Sequence, residues 1–348
     1  MRSLIVTGQG QITVETAPDP VLTGPDGVIV AVSTAAVCGS DMHFYDGDLP
    51  YFPVALGHEA VGTVVEAGAD VRSVAVGDRV LVSSVAGCGA CSGCATGDPV
   101  RCVAGPQVFG SGMLGGAQSE LLAVPAADFN VLAVPDGLDD DAALLLTDNL
   151  NTGWAAAQRA DFDPGADVVV LGLGAVGLCA VKSALMLGAG RVFVADPQAG
   201  RVDRAVGFGA TALTRPTVEA VLEATGGRGA DAVIDAVAVD GSVNDAFGSV
   251  RSGGTVSVVG VHGMEPYPLD LLMGVFRSIT LRMTTAPVQA TWPQLVPLLQ
   301  AGRLDPSGIF THSFDLEDGA AAYAAVADRS AETVKVRLHP GSSGTSTP

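Results

Sequence analysis

The sequence predicts an α/β fold in two parts. A doubly wound parallel sheet occupies the middle of the chain, and a mainly β domain is built from its beginning. Three observations carry this. Residues 167–196 run strand, glycine-rich turn, helix, strand. Residues 1–35 alternate short β runs with Pro and Gly turns. From Asp139 onward the composition turns helical before the glycine-rich unit begins. A length of 348 residues suits two domains at about 150 residues each.

The middle unit reads DVVVLGLGAVGLCAVKSALMLGAGRVFVAD. Val168 to Leu171 form a continuous β-branched and Leu run, as expected of a strand buried on both faces. Gly172, Gly174 and Gly177 follow in G-x-G-x-x-G spacing. Gly172 permits the tight turn, Gly174 lets a pyrophosphate approach the backbone, and Gly177 lets helix and strand pack closely. The helix opening at Ala175 and Val176 offers free N–H groups and a positive dipole end to phosphates. A second strand, Val192 to Ala195, ends at Asp196, 19 residues beyond the last glycine. That is close to the roughly 20 expected of the acid that binds the adenosine ribose. A carboxylate there would repel a 2′-phosphate, so NAD is favoured over NADP. A purely structural βαβ unit is the alternative. A membrane span is excluded, since Val168 to Val181 is only 14 residues, short of about 18.

The first part has strand candidates at Leu4 to Thr7, Gln11 to Glu15 and Val28 to Val32. It then carries two groups of metal-ligand residue types. Cys38, His58 and Glu59 supply soft, borderline and hard donors from CGSDMH and GHE. Zinc accepts this mix, and a catalytic site needs three protein ligands with an open position. Cys88, Cys91, Cys94 and Cys102 are spaced C-x2-C-x2-C-x7-C. Four thiolates close a tetrahedron and leave no open position, which makes a structural zinc site. Two disulfides are the alternative there, and an ordinary loop Cys with a core His is the alternative for the first group.

Cys-Gly-Ser-Asp-x-His followed by Gly-His-Glu resembles the zinc-dependent medium-chain alcohol dehydrogenases. The resemblance runs from the first strands to Leu338. It implies a Rossmann-type sheet and a mainly β, GroES-like catalytic domain with a structural zinc lobe at the four cysteines. It also implies two zinc ions per chain and NAD. Cys38 and His58 match the catalytic zinc ligands, Glu59 a carboxylate that approaches the zinc when ligands exchange, and Asp41 the group that orients His58. Ser40 and His43 match a proton relay from the alcohol through the nicotinamide ribose to solvent. The third zinc ligand comes from just before a Thr-Gly pair. It is Cys in many members, and here Asp148 takes its place, in a Leu-rich segment expected to be helical. A helix N-cap is the other reading of Asp148. Thr152 matches a residue that touches the nicotinamide.

After Asp196, Arg201 is placed to reach the adenosine side. GADAVIDAVAVD and GGTVSVVGVHG repeat strand, helix and strand. Val237, Val259 and Val261 end those strands on the cofactor side, and His262 reads as a loop residue. From Pro287 the chain carries a helix in TWPQLVPLLQ closed by Gly302, a helix after Leu316 to Asp318, and a strand from Val334 to Leu338, and the resemblance implies that this tail returns to the first domain. The catalytic domain is therefore expected at residues 1–150 and 287–348, the NAD-binding domain at 151–286, and a disordered tail at about 340–348.

Formal net charge is −19, which excludes nucleic acid and anionic membrane surfaces as partners, since both need a basic face. The N-terminus reads as strands, not as a signal peptide, so the cytoplasm is expected, where cysteines serve as ligands or core thiols. Cys179 reads as core. The expected activity is hydride transfer between NAD and a secondary, polyol or small primary alcohol, in a homodimer or homotetramer. A dismutase with tightly bound NAD and a non-catalytic NAD-binding zinc protein are the alternatives.

Overall fold

The computed structural model describes residues 1–341 except 215, 264 and 331. It divides into two units, residues 1–151 with 286–348, and residues 152–285.

The chain opens with an antiparallel pair, β1 (Arg2–Gly8) and β2 (Gln11–Thr16). Next comes β3 (Val28–Val37), whose β-branched sequence VIVAVSTAAV is buried along most of its length. After a short strand β4 (Val54–Ala55), β5 (Ala60–Ala67) runs antiparallel to β3, with Ala35 opposite Ala60. Strand β6 (Arg79–Val82) pairs with β5. A two-stranded ribbon of β7 (Val85–Ala86) and β8 (Gln107–Val108) brackets the four-cysteine segment. The glycine-rich stretch after Gly110 leads to β9 (Leu121–Val124) and β10 (Val131–Ala133). The helical segment is two helices, α1 (Asp140–Leu145) and α2 (Asn149–Ala160). Asp148 lies in the turn between them, and so corrects the expectation of a helical position.

Residues 152–285 carry a six-stranded, all-parallel sheet. Its strands are β11 (Asp167–Leu171), β12 (Arg191–Ala195), β13 (Thr211–Ala212), β14 (Ala230–Asp235), β15 (Val250–Val258) and β16 (Thr280–Met283). Their spatial order is β13-β12-β11-β14-β15-β16. This is the doubly wound order with its switch point between β11 and β14. Helix α3 (Ala175–Met186) leaves β11 through the glycine turn, and α4 (Ala199–Gly207) follows β12. The core holds Val169, Leu171, Phe193 and Val233, and Cys179 is buried as expected.

The returning segment supplies α5 (Val288–Gln300), β17 (Phe310–Asp315), α6 (Gly319–Ala327) and β18 (Lys335–His339). Strand β17 was not legible in THSFD, whose polar residues conceal a strand parallel to β18. Strand β18 pairs with β3, Val336 opposite Val37, so β3 has β5 on one side of its end and β18 on the other. Most of the expected tail at 340–348 lies outside the described residues.

Candidate active site and metal centres

Strand register brings the first group together. Cys38 follows the last residue of β3, and His58 and Glu59 immediately precede the first residue of β5. The antiparallel pairing sets those two ends side by side. Asp148, in the turn ahead of α2, completes the group. One donor atom from each of Cys38, His58, Glu59 and Asp148 lies within 4.8 Å of the others. His58 Nε2 is 3.2 Å from Asp148 Oδ2, and Cys38 Sγ is 4.0 Å from the same oxygen. His58 and Glu59 are buried, and Cys38 is half-buried.

The turn that carries Asp148 is held from the returning segment. The Leu146 carbonyl accepts from Trp292 Nε1 at 2.8 Å and from Asn151 Nδ2 at 2.5 Å. Thr291 Oγ1 donates to Asn151 Oδ1 at 2.7 Å. Behind the ligands, Asp41 Oδ1 stands 3.3 Å from His58 Nδ1, leaving Nε2 to face the other donors. Burial acts against the His58 imidazolium, but Asp41, Cys38 and Asp148 outweigh it and hold the pKa well above its ordinary value. A cation seated among the four donors would take the place of that proton.

Glu59 fits the same reading. Its Oε1 receives Lys335 Nζ at 2.5 Å and Asn149 Nδ2 at 3.4 Å. Its Oε2 is buried and has no hydrogen-bond partner, a costly state for a carboxylate oxygen that a metal ion nearby would relieve. Burial pushes the Glu59 carboxyl up, and Lys335 opposes that shift. Lys335, Asn149, Gln118 and Tyr323 are the residues of this site that sequence reasoning missed. The one available signal was that an acid at the start of a buried strand needs a cation.

Ser40 lies in the turn after Cys38, and His43 one turn further on. The structure does not join the two directly. His43 Nδ1 instead meets Asp48 Oδ2 at 3.0 Å, and His43 is only half-buried.

The four cysteines converge as well. All four sulfurs lie within 4.8 Å of one another. The pairs Cys88–Cys94 and Cys91–Cys102 stand 4.0 Å apart, about twice a disulfide length of ~2.05 Å. Backbone N–H groups of Cys94 and Val103 donate to Cys91 Sγ, each at 3.4 Å. Those two donors hold the Cys91 thiol down at about 6. Burial, with Cys91 beside it, pushes Cys94 up to about 12. Sulfurs so crowded, with backbone donors already aimed at them, suit a tetrahedral zinc. Asn130 anchors the lobe by bonding both the N–H and the C=O of Gly87, at 3.0 and 2.9 Å.

In the parallel-sheet unit, the glycine turn has the shape that its spacing requires. Gly172 has φ +80°, and a Cβ there would meet Val237 Cγ2 at 2.0 Å. A Cβ on Gly177 would meet the Gly172 carbonyl oxygen at 1.8 Å, whereas one on Gly174 meets nothing within 4 Å. Gly174 is the N-cap of α3, and Ala175, Val176 and Gly177 form the first turn. The open space above Gly174 at a helix N-terminus is of the kind that could take a diphosphate. Asp196 follows β12 and accepts from Leu173 N at 2.7 Å and Gln198 N at 2.8 Å, which ties the acid to the glycine turn. Arg201 lies in α4, and Thr152 is buried in α2. Val237, Val259 and Val261 come just after β14 and β15 and not within them. Val237 and Val261 are exposed. Asp235, at the end of β14, shapes this rim by accepting from Val237 N and Ala238 N, both at 2.9 Å. His262 pairs with Asp240 at 3.0 Å, as a loop residue would.

A doubly wound sheet with this turn, a β domain with a Cys/His/Asp centre and a four-cysteine lobe together define a zinc-type dehydrogenase. Comparison with known proteins agrees. The alcohol dehydrogenase GroES-like domain matches residues 24–136, and the zinc-binding dehydrogenase domain matches residues 175–301. The chain is 60% identical, over 343 residues, to a protein of Mycobacterium tuberculosis described as a probable zinc-binding alcohol dehydrogenase. That match covers 98% of this chain and 89% of that protein. Among solved structures, an alcohol dehydrogenase from Thermus sp. ATN1 superposes with TM-score 0.91 at 32% identity, covering 97% of this chain and 99% of that one. A zinc-dependent alcohol dehydrogenase from Streptococcus pneumonia superposes with TM-score 0.91 at 29% identity, covering 99% and 100%. The chain belongs to the zinc-dependent medium-chain alcohol dehydrogenase family.

Proposed function

We propose that this protein is an NAD-dependent zinc alcohol dehydrogenase that moves a hydride between NAD and a secondary, polyol or small primary alcohol. The convergence of Cys38, His58 and Asp148 at one buried point, beside an unsatisfied Glu59 oxygen, carries this reading. Zinc at that point supplies Lewis acidity to an alcohol oxygen, and NAD supplies the hydride acceptor.

The chain's own residues do the rest. Cys38, His58 and Asp148 hold the metal, and Asp41 fixes the His58 ring so that Nε2 points inward. Glu59, tethered by Lys335, waits beside the ligands as an alternate donor. Ser40 is placed to take up the alcohol proton, and His43, steadied by Asp48, is placed to exchange protons with solvent. Gly172, Gly174 and Gly177 shape the phosphate cradle, and Asp196 sets the preference for NAD. Cys88, Cys91, Cys94 and Cys102 hold a second zinc that stabilises their lobe.

Free thiols used as ligands support cytoplasmic residence. Among the described residues, no helix is long and apolar enough to cross a membrane. A homodimer or homotetramer is supported by an apolar surface on the parallel-sheet unit. Leu271, Leu272, Val275 and Phe276 are each at least 65% exposed, on a short helix with no buried residue. Among the described residues, no strand pairs with the outer edge of β16.

The deciding experiment measures zinc per chain together with NADH formation against a panel of alcohols. Two zinc ions and turnover of one alcohol class are expected. Cys38→Ala should lose one zinc and all turnover while keeping the other zinc. Turnover of aldehyde without added coenzyme would replace the reading with a dismutase. Two zinc ions and bound NAD without any turnover would replace it with a non-catalytic role.

A further inference from the structure

Asp41 does more than face His58. Its Oδ2 accepts the Cys38 backbone N–H at 2.9 Å while its Oδ1 stands 3.3 Å from His58 Nδ1. One carboxylate therefore aligns two of the residues read above as metal ligands, and whatever fixes that carboxylate fixes both.

What fixes it is Gln118. Its Nε2 donates to Asp41 Oδ2 at 3.1 Å and to the Ala36 carbonyl at 3.1 Å. Both amide hydrogens are then spent, and Oε1 can only accept. Tyr323, on α6, supplies the donor, with its hydroxyl 2.9 Å from Gln118 Oε1. The orientation of the amide is forced, because the flipped form would set Oε1 against a carboxylate and a carbonyl and would leave the Tyr323 hydroxyl facing a donor. Gln118 and Tyr323 are fully buried and Asp41 is 3% exposed, so water offers none of the three a substitute partner.

The same glutamine braces the His58 backbone. Gln118 N donates to the Leu56 carbonyl at 3.1 Å. A Cβ on Gly57, which has φ +96°, would lie 2.5 Å from Gln118 Cγ, so the residue before His58 runs directly against this side chain. Tyr323 is held from its other side by Tyr45, with ring centroids 5.3 Å apart.

We propose that Gln118 and Tyr323 are positioning residues of the catalytic metal centre. Tyr323 sets the amide of Gln118, and Gln118 sets the carboxylate that aligns His58 and Cys38. This rests on reading Cys38, His58 and Asp148 as metal ligands. Removing a ligand's direct partner, the place Asp41 holds here, weakens metal binding by about 10- to 100-fold, and Gln118 acts one bond further out through Asp41.

The test uses the full chain with both zinc ions and follows their release to a chelator, with cobalt(II) then loaded into the emptied catalytic site to record its absorption bands. The four-cysteine zinc is the internal control. Gln118→Met should release the catalytic zinc faster than the unmodified protein, by up to about 10-fold, the low end of the effect of losing a ligand's direct partner, with shifted cobalt bands and unchanged release from the four-cysteine site. Tyr323→Phe, which keeps the ring packing, should move both readouts in the same direction by a smaller factor. A folded Gln118→Met protein with unmodified release and bands overturns the proposal. If Gln118→Met does not fold, Tyr323→Phe decides, and unchanged release and bands in that variant overturn it. An unmodified protein that holds only the four-cysteine zinc overturns the ligand reading and the proposal together, before any variant is made.

Discussion

Glu59 and Lys335 form an ion pair sealed from water, with Nζ 2.5 Å from Oε1 and exposures of 0% and 1%. Burial alone would lower the Lys335 ammonium, but Glu59, Cys38 and Asp148 outweigh it and hold it raised. The strands explain the meeting. Lys335 opens β18 beside the end of β3, and Glu59 stands on the other side of that end, just before β5. Breaking such a pair strands one charge in a dry interior, at a cost of about 3–5 kcal/mol. Lys335→Met should therefore lower unfolding stability by about that amount in a urea titration. Pairing it with Glu59→Gln should recover most of the loss. Equal stability of the single and double variants would contradict the coupling.

How much of this was readable beforehand depended on sequence distance. The four-cysteine lobe was legible because its ligands fall within one short segment and share one chemistry. The glycine turn was legible because its spacing encodes close approaches, which appear as the 1.8 Å clash that a Gly177 Cβ would make. Cys38 and His58 were legible by residue type and resemblance. Lys335 was not, since it lies 276 positions from its partner and alternates with Val as a solvent-facing strand residue would. Asp148 was singled out, but its turn was not, because helix-forming sequence flanks it on both sides. Gln118 and Tyr323 acquire a role only once the strands bring Asp41 between them and His58.

The two glycines that differ in surroundings should differ in effect. Nothing lies within 4 Å of a Cβ on Gly174, whereas one on Gly177 meets backbone. Gly174→Ala should melt like the unmodified protein yet raise the KM for NAD by about tenfold, equivalent to ~1.4 kcal/mol of lost binding. Gly177→Ala should lose about 1–3 kcal/mol of stability through overpacking. Calorimetry and coenzyme titration of the two variants check this, and equal melting of both would contradict it.

On the proposed function, Asp196 sets coenzyme choice through charge. It also receives Leu173 N and Gln198 N, so a truncation would loosen the turn as well. Asp196→Asn removes the repulsion toward a 2′-phosphate and keeps one of the two acceptor oxygens, at the cost of one of those two bonds. The ratio of kcat/KM for NADP over NAD should rise by about tenfold or more, since ~1.4 kcal/mol of relieved repulsion is tenfold. An unchanged ratio would show that another residue discriminates.

Asp231 should give the parallel-sheet unit a defined acid sensitivity. Its Oδ1 accepts from Arg228 Nη1 and Arg251 Nε, both at 2.6 Å, and its Oδ2 accepts from Asp167 N at 2.8 Å. Asp167 in turn binds Arg191 through both oxygens at 2.7 Å, and Arg228 at 2.9 Å. Burial works to raise the Asp231 carboxyl, but Arg228, Arg251 and the Asp167 N–H outweigh it and hold it well below the usual carboxylate range. A depressed folded-state pKa stabilises the fold above the unfolded value of about 3.9, and that contribution is lost as pH falls from there through the folded value. Arg228 and Arg251 are partly exposed, at 45% and 35%, so solvent screening reduces the gain. Asp231→Asn should cost about 1–2 kcal/mol at neutral pH. The gap between the two proteins should stay level from about pH 5 to 8 and narrow below about pH 4. Urea unfolding across that range measures it, and a gap that stays constant below pH 4 would contradict the assignment.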